Sequence, residues 1–316
     1  MINLKNYQMV KKCCLKFLCF GSIFTISFLS IYAQTKPQQG LLNASDKFNS
    51  NRFKTVLISE GAVGVLITTG LQYLWYKKFP HTRFHFFNDN NEWLNMDKVG
   101  HAATAYNISA MQYNLMRWTG VKTTGAKWIG GLTGLAYLTM IEIFDGFSQK
   151  WGFSKGDMLA NISGSTLFIA QQSLWAQQRI QLRFSYHHSI FAKYNPEELG
   201  KNFSQRLLKD YNGQSYWLSF NISSFLNDKN NFPKWINADI GYGAEGMTGA
   251  VLNPSALNGK TIPQFTRQRK LYFSFDGAFT KNNSSYPGWI NIVHLPAPAL
   301  EFKLKTKEIK EHLFYF

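Results

Sequence analysis

The spacing of apolar residues along the chain changes once, at about Gln178. Before that point, long and mostly apolar segments with helical spacing predict four helices. These predicted helices are Thr55–Tyr76, His101–Trp118, Lys127–Phe147 and Asp157–Gln178. After it, apolar and polar residues alternate with the two-residue period of a strand. The pattern predicts an α+β protein, with an N-terminal helical bundle of about four hydrophobic helices (55–178) and a strand-rich, mixed C-terminal domain (179–316).

Five short segments of the C-terminal half alternate in this way, and each predicts a strand. They are Leu182–Tyr186, Tyr216–Ile222, Ile236–Tyr242, Leu271–Phe275 and Leu300–Leu304. The segment Pro196–Tyr211 carries apolar residues on one helical face and predicts an amphipathic helix between the first two strands. Alternating strands and the C-terminal Phe316 also suit an outer-membrane barrel. The low number of strands and the intervening helix weigh against that architecture.

The first residues have the layout of a secretory signal peptide, in which basic residues precede an apolar run and a small residue ends it. Four lysines lie near the start, the apolar run is Leu15–Ile31, and Ala33 closes it. We therefore predict a signal peptide over 1–33 and a polar tether over 34–54. The alternative is a retained N-terminal anchor, although the run is shorter than the ~20 residues that a spanning helix needs.

All cysteines of the chain lie in this leader, at Cys13, Cys14 and Cys19. The mature chain would then contain no disulfide, no thiolate metal ligand and no cysteine nucleophile. Lipoprotein processing is not expected, because Phe17 and Leu18 precede Cys19 where a lipobox requires small residues. Export without disulfides fits a bacterial envelope protein better than a small disulfide-stapled domain.

The chain is strongly basic, with 34 Lys and Arg against 18 Asp and Glu and a formal net charge of +16. Such a charge favours acidic partners, and for an exported protein these are membrane lipid or an anionic envelope surface. No nucleic-acid motif is present, so nucleic acid is not an expected partner. The alternative is a solvated basic surface. The sequence predicts neither a cofactor nor an oligomeric state.

The predicted helix Thr55–Tyr76 has two interpretations. Its length is close to the ~20 residues that cross a bilayer, and Lys54 and Lys77-Lys78 bracket it. It could equally be a buried helix of a compact bundle, and periodicity does not separate the two. The following loop contains His81, His85 and Asp89, whose spacing matches no metal-ligand signature and predicts an ordinary polar loop.

Ionisable and amide residues occur at helical spacing on three of the apolar segments, so that each set shares one helix face. The sets are Asp97 with His101, then Glu142 with Asp145 and Gln149, and finally Asp157 with Asn161. Unpaired carboxylates on apolar helices are costly, so they should pair, bind a cation or line a wet cleft. We expect the three sets to converge, with Lys98 or Arg117 neutralising part of the negative charge.

Three interpretations of this convergence compete. In the first it is structural, and Asp97, Asp145 and Asp157 cap helices or pair with Lys98 and His101; Asp157 after Gly156 is the expected N-cap. In the second it is a catalytic or metal site, with His101 as a base and Asp97 and Asp157 as its partners or as oxygen ligands.

In the third interpretation the cluster binds a lipid headgroup or another envelope ligand without chemistry. The binding residues would be Lys98, Glu142, Asp145, Gln149 and Asn161. No nucleophile elbow, no H-E-x-x-H and no phosphate loop is present in the sequence, so spacing alone predicts no reaction class.

The runs D-K-V-G-H (97–101), E-I-F-D (142–145) and S-K-G-D-M-L-A-N-I-S-G (154–164) resemble the YfiM-like family of uncharacterised bacterial envelope proteins and the core pattern of VanZ-like membrane proteins. Segments of the C-terminal half, such as L-L-K-D-Y-N-G-Q-S-Y-W-L-S (207–219), also resemble that family. The resemblance implies a Gram-negative envelope protein with a membrane-embedded or membrane-apposed helical core, and no established reaction. Many relatives of this type are lipid-anchored, whereas no lipobox stands here.

The expected function is therefore that of an exported, membrane-associated envelope protein, structural or lipid-interacting. The alternative is a metal-assisted or acid–base hydrolase that acts on an envelope substrate at Asp97, His101, Glu142, Asp145, Asp157 and Asn161. A barrel-type transport role is the third possibility.

Overall fold

The computed structural model describes residues 45, 47–74, 79–226, 231–277 and 292–315. The predicted signal peptide, most of the predicted tether and the three cysteines lie outside these residues. Within them the protein is an α+β protein with six helices and a six-stranded antiparallel sheet, as the sequence pattern predicts. The helices are α1 Ser50–Leu74, α2 Met96–Trp118, α3 Thr123–Gly146, α4 Lys155–Leu174, α5 Pro196–Leu199 and α6 Phe203–Lys209.

Three of the long helices, α2, α3 and α4, each pack against the other two. Glycines allow the backbones to approach closely. A Cβ at Gly134 of α3 would lie 2.3 Å from the Ala105 carbonyl oxygen of α2, and one at Gly164 of α4 would lie 2.0 Å from the Ala102 carbonyl oxygen. Because no side chain fits at these two crossings, they determine how the polar faces of the three helices meet.

Helix α1 does not join this group, so the predicted bundle of four helices is not what the described residues form. Only its first turns touch the other helices: Val56 packs with Met116 and Ala126, and the Arg52 guanidinium donates to the Trp118 carbonyl at 3.1 Å. The span Ser50–Gly70 is 6% buried, and by length and composition it could cross a membrane. Apart from Val56 and its neighbours at the start, many of its apolar side chains are exposed, so the described part of this segment is not a buried bundle helix.

The sheet contains the five predicted strands and one that the sequence pattern did not predict. In chain order its strands are β3 Ile180–Tyr186, β4 Gln214–Asn221, β5 Ile236–Glu245, β8 Gln268–Gly277, β9 Ala297–Lys303 and β10 Ile309–Tyr315. Their order in the sheet is β10-β9-β8-β5-β4-β3, and every neighbouring pair is antiparallel. Two short pairs complete the strands: β1 Phe86–Phe87 with β2 Phe153–Ser154, and β6 Ala256–Leu257 with β7 Lys260–Thr261.

The predicted amphipathic helix Pro196–Tyr211 is divided into the short helices α5 and α6. Gly200 follows α5 with a φ of +100°, a left-handed conformation that a helix cannot contain. Asn202 then caps α6, its side chain accepting from the Gln205 N–H at 3.0 Å. A glycine and a new N-cap are sufficient to end one helix and begin another.

The sheet curls strongly. The Tyr315 hydroxyl on the edge strand β10 lies 2.9 Å from Ser215 Oγ on β4, and it donates to the Tyr272 hydroxyl on β8 at 2.8 Å. The other edge strand is β3, and among the described strands β10 and β3 are not hydrogen-bonded to each other. No closed barrel is found in this part of the chain, so the barrel-type prediction is not confirmed.

The concave face of this curled sheet is buried, and it is mostly polar. Arg183, Ser219, Asp239, Tyr272 and Asp276 all point into it. The convex face carries the alternating apolar residues. Helix α2 covers the convex face at β3 and β4, where the Tyr106 hydroxyl donates to the Ile180 carbonyl at 3.1 Å and Asn107 donates to the Leu182 carbonyl at 2.9 Å. The segment before α2 covers Tyr242 on β5, and beyond it Ile240, Phe273, Phe275 and Leu300 on this face are exposed.

Candidate functional site

The ammonium group of Lys98, on the first turn of α2, lies among three carboxylates. Its Nζ is 2.6 Å from Asp89 Oδ1, 2.9 Å from Asp157 Oδ1 and 3.4 Å from Asp97 Oδ2. The Lys98 side chain is 14% exposed and that of Asp157 is 5% exposed. Lys98 therefore neutralises part of the negative charge, as one of the two cations proposed from the sequence. Arg117 lies at the other end of α2 and donates to the Val121 carbonyl.

His101 lies one turn further along α2 and connects all three helices. Its Nδ1–H donates to Asn161 Oδ1 of α4 at 3.0 Å, and the same nitrogen is 3.7 Å from Glu142 Oε1 of α3. Its Nε2 is 3.9 Å from Asp97 Oδ1. The imidazole is thus oriented by an amide and flanked by two carboxylates, an arrangement suited to holding or moving a proton.

The N-cap of helix α4 is not the residue that the sequence predicts. Ser154 is the N-cap, because its Oγ accepts from the Asp157 N–H at 3.1 Å. Asp157, which was expected to be the cap, is the third residue of the helix and turns its carboxylate to Lys98. The Ser154 hydroxyl also donates to Asp89 Oδ1 at 2.6 Å, and its N–H donates to Glu142 Oε2 at 3.1 Å. Ser154 therefore links the carboxylates of Asp89 in the loop and Glu142 in α3 to the backbone at the start of α4.

Three residues of the cluster were not predicted from the sequence as site residues: Asp89, Ser154 and Tyr211. Asp89 belongs to a loop that was interpreted as an ordinary polar connection. Tyr211 lies in the C-terminal half, and its hydroxyl donates to Asp97 Oδ1 at 2.5 Å. The S-x-x-D spacing of Ser154 and Asp157 is a capping signal that could have identified Ser154. Nothing in the sequence pattern brings Tyr211 to Asp97, which is 114 residues away.

Two of the predicted site residues lie apart from His101. Gln149 is exposed beyond the end of α3, where its backbone N–H donates to the Pro80 carbonyl at 3.1 Å. Asp145 lies one helical turn after Glu142, and its negative charge helps to raise the pKa of Glu142. The other predicted residues, Asp97, Lys98, His101, Glu142, Asp157 and Asn161, form one connected cluster.

Burial and crowding of negative charge change the acid–base properties of the cluster. Burial raises the pKa of Glu142 to about 7. Burial, followed by the charge of Asp97, raises the pKa of Asp157 to about 8. Burial alone would lower the pKa of His101, but the charges of Asp97, Asp157 and Glu142 outweigh it and raise that pKa above its ordinary value. Protons are therefore held in this cluster at pH values where exposed carboxyls have lost them.

A pH dependence of stability follows, with the same sign for all three groups. The two carboxyls bind protons more tightly in the folded than in the unfolded chain, and the stabilisation from His101 is present below its unfolded pKa and lost above its raised folded pKa. We expect the free energy of unfolding to fall as pH rises from about 5 to about 8. Denaturant titrations at several pH values would measure it, and Glu142→Gln should flatten the slope. Glu308→Gln, at an exposed carboxyl, should leave it unchanged, whereas a stability that rises with pH would contradict this account.

One ligand atom from each of Asp97, His101 and Asp157 lies within 4.8 Å of the others, so these residues could together hold a metal ion. The ammonium of Lys98 already supplies a positive charge within 3.4 Å of both carboxylates. The geometry thus favours a lysine-neutralised cluster over a cation site formed by these ligands. Beside it, at the N-terminus of α4, is a cavity of about 340 Å³, lined by Phe86, Phe87, Asn88, Asn90, Lys155 and Gly156.

Residues 85–172 match the model of one protein family, which is described as a predicted periplasmic lipoprotein, DUF2279. The matched stretch runs from the loop that contains Asp89 through most of α4, and it includes every cluster residue except Tyr211. No curated protein and no solved structure matches the chain. The match supports an uncharacterised envelope family, whereas the resemblance to YfiM-like and VanZ-like proteins stays a prediction.

Proposed function

For an exported protein of the cell envelope, periplasmic or membrane-associated, we propose that the function includes direct contact with membrane lipid. The observation that carries the proposal is the inverted polarity of the curled sheet, whose polar face is buried and whose apolar face is exposed. In water, folding buries apolar surface and leaves polar groups outside. A sheet of the opposite polarity is stable only where another apolar phase covers its outer face.

Large apolar side chains on three neighbouring strands of this face are exposed. The side chains of Ile240 on β5, Phe273 and Phe275 on β8, and Leu300 on β9 are 44%, 46%, 66% and 42% exposed. Helix α1 adds a second apolar surface through Leu57, Ile58, Val65 and Leu66, all exposed. Isolated exposed apolar residues need no explanation, whereas a face of this kind marks an interaction surface.

The edge of the sheet favours lipid over a protein partner. The end of β9, the following turn and β10 expose Leu304, Ile309, Leu313 and Phe314. Lys305, Lys307 and Lys310 are interspersed among them and are also exposed, together with Glu308 and Glu311, so that lysines outnumber carboxylates on this edge. Apolar side chains beside several lysines are complementary to the boundary between acyl chains and anionic headgroups. The net charge of the chain, +16, has the same sign as this edge.

A fluorescent label at Phe275 tests the proposal. The native cysteines at 13, 14 and 19 would be changed to serine, and single cysteines placed by Phe275→Cys and, as the control, by Lys260→Cys in the exposed β6–β7 hairpin. In vesicles of phosphatidylethanolamine and phosphatidylglycerol, nitroxides on the acyl chains should quench the label at position 275 several-fold more than at 260. Because Phe275 is 66% exposed, the substitution should leave the fold intact.

Equal quenching at positions 275 and 260 would contradict lipid contact. A label at 275 that is shielded from both lipid nitroxides and aqueous quenchers would instead show that protein covers this face. Circular dichroism of both labelled variants would establish that the comparison is made on folded chains.

A second function is favoured by one observation, the position of Glu142 beside His101 with a pKa raised to about 7 by burial. We propose acid–base chemistry on an envelope substrate, with His101 as the proton-transferring group and Asp97 and Glu142 as its partners. Groups that titrate near neutral pH are the usual participants in such chemistry. The cavity at the N-terminus of α4, whose lining includes Asn90 and Gly156, would offer space for a substrate.

His101→Gln tests this second proposal with phospholipid vesicles and peptidoglycan as the substrates offered. Product release by the unmodified protein, with a pH profile that is lost in His101→Gln while the fold persists, would support it. No product from either substrate, or equal product from both forms, would contradict it and leave the cluster with a structural role.

A further inference from the structure

The concave face of the sheet contains a second group of metal-ligating side chains, far from His101 in the sequence and in a different part of the fold. Asp239 lies on β5, Asp276 on β8, and His294 in the segment that leads into β9. The side chains of Asp239 and His294 are 0% exposed. One ligand atom from each of the three residues lies within 4.8 Å of the others.

Several polar atoms of this group have no hydrogen-bond partner among the described residues. They are both carboxylate oxygens of Asp239, both ring nitrogens of His294 and the Oγ of Ser219. Ser219 on β4 is paired directly with Asp239 in the sheet register. Leaving one buried polar atom unpaired costs about 1–3 kcal/mol, and buried groups in native proteins are almost always satisfied. The Ser219 hydroxyl and the Asp276 backbone N–H lie close enough to Asp239 to donate to its carboxylate. The two ring nitrogens of the fully buried His294 have no such donor or acceptor, and they indicate that something else binds there.

Unlike Asp239, Asp276 has a buried cation as its partner. It pairs with the buried Arg183 guanidinium and accepts from Asn237 Nδ2 at 2.9 Å. Arg183 therefore compensates the charge of Asp276, whereas the carboxylate of Asp239 has no cation within hydrogen-bonding reach in the part of the chain that the structure describes. The missing partner is positively charged or donates protons.

We propose that Asp239, Asp276 and His294 bind a divalent transition-metal ion, of which Zn²⁺ is the natural representative. His294 Nε2 is 3.9 Å from Asp239 Oδ2, which is too long for a hydrogen bond. Two ligands that each lie about 2.0–2.2 Å from a tetrahedral ion are about 3.3–3.6 Å apart. A movement of a few tenths of an ångström would therefore bring these two atoms onto a common ion. A set of one imidazole and two carboxylates suits Zn²⁺ and its neighbours better than Ca²⁺ or Mg²⁺, which prefer oxygen alone.

The surroundings orient the ligands as outer-shell groups do in metal sites. The His294 ring stacks on Trp217 with centroids 3.9 Å apart and an angle of 12° between the planes. Its backbone N–H donates to the Phe184 carbonyl of β3 at 3.0 Å, so the ring is fixed between two strands. Gly241 makes room for the indole, because a Cβ there would lie 2.7 Å from the Trp217 ring.

The test uses the full chain, dialysed against a chelator and then offered Zn²⁺ alone. We expect one Zn²⁺ per chain by elemental analysis and titration calorimetry, with an increase in melting temperature on binding. Asp239→Asn and His294→Gln, which nearly preserve side-chain volume, should each weaken binding by about 10-fold or more. His101→Gln is the matched control in the other cluster and should bind as the unmodified protein does.

The Asp239→Asn variant should fold. Without metal it removes an unpaired buried charge, so its stability should stay the same or increase. Co²⁺ supplies a second readout, because its binding should quench the emission of Trp217. This quenching should be lost in Trp217→Phe. Failure of the unmodified chain to bind Zn²⁺ would overturn the proposal. So would binding that survives both Asp239→Asn and His294→Gln, or that is lost only in His101→Gln.

Discussion

Lys98→Met is expected to lower the free energy of unfolding by about 3–5 kcal/mol, the usual cost of removing one partner from a buried ion pair. The substitution leaves Asp89, Asp97 and Asp157 within a few ångströms of the space that the ammonium occupied. Methionine fills much of the same volume, so the loss would come from charge and not from a cavity. Denaturant unfolding monitored by circular dichroism would measure it.

Lys127→Met in α3 is the matched control, because that half-buried lysine has no carboxylate partner among the contacts described. Its ammonium donates to Ser173 Oγ at 3.0 Å and lies 5.2 Å from the centre of the Trp128 ring. Its effect should stay within about 0.5 kcal/mol. The loss in Lys98→Met should also shrink at low pH, where the carboxylates become protonated and no longer repel one another. An effect as small as that of Lys127→Met would show that the carboxylates are neutralised in another way.

Gly164→Ala should destabilise the protein by about 3 kcal/mol, at the upper end of what overpacking commonly costs. The added Cβ would lie 2.0 Å from the backbone oxygen of Ala102, and backbone in the middle of a helix cannot move aside as a flexible side chain would. Separating α4 from α2 would also pull Asn161 away from His101. We therefore expect the raised pKa of His101, followed by NMR, to move toward its ordinary value.

Gly61→Ala in α1 provides the control, since nothing lies within 4 Å of a Cβ at that position. Alanine is the better helix former by about 1 kcal/mol, so this variant should be neutral or slightly stabilised. Equal stability of the two variants would mean that α2 and α4 do not cross as closely as described.

The helices α2, α3 and α4 could be predicted from the sequence because local periodicity and end signals largely determine a helix. The convergence of Asp97, His101, Glu142 and Asn161 was also predictable, since carboxylates and amides on apolar helices must find partners. Tyr211 was not, because its contact with Asp97 depends on how the sheet docks on α2. The N-cap was assigned to Asp157 instead of Ser154, because the end of a helix moves by a residue or two with its surroundings.

The strand β10 was missed because Ile309–Tyr315 shows no alternation, and six of its seven residues are exposed or half-buried. It becomes a strand through hydrogen bonds to β9, which is information from another part of the chain. The metal-ligating group around Asp239 was missed for a related reason. Its three ligands lie 37 and 18 positions apart in the sequence, and the pairing of β5 with β8 and the contact of His294 with β3 bring them together.

By itself the sequence determined the α+β composition, the change of period near Gln178 and the polar sets that had to be satisfied. It also determined that the strands alternate, but alternation is symmetrical and does not specify which face is buried. Only the tertiary structure decided that the polar face turns inward and the apolar face outward, because the direction of a sheet's curl depends on long-range pairing. The same long-range packing left α1 outside the helical group and placed Lys98 among the carboxylates.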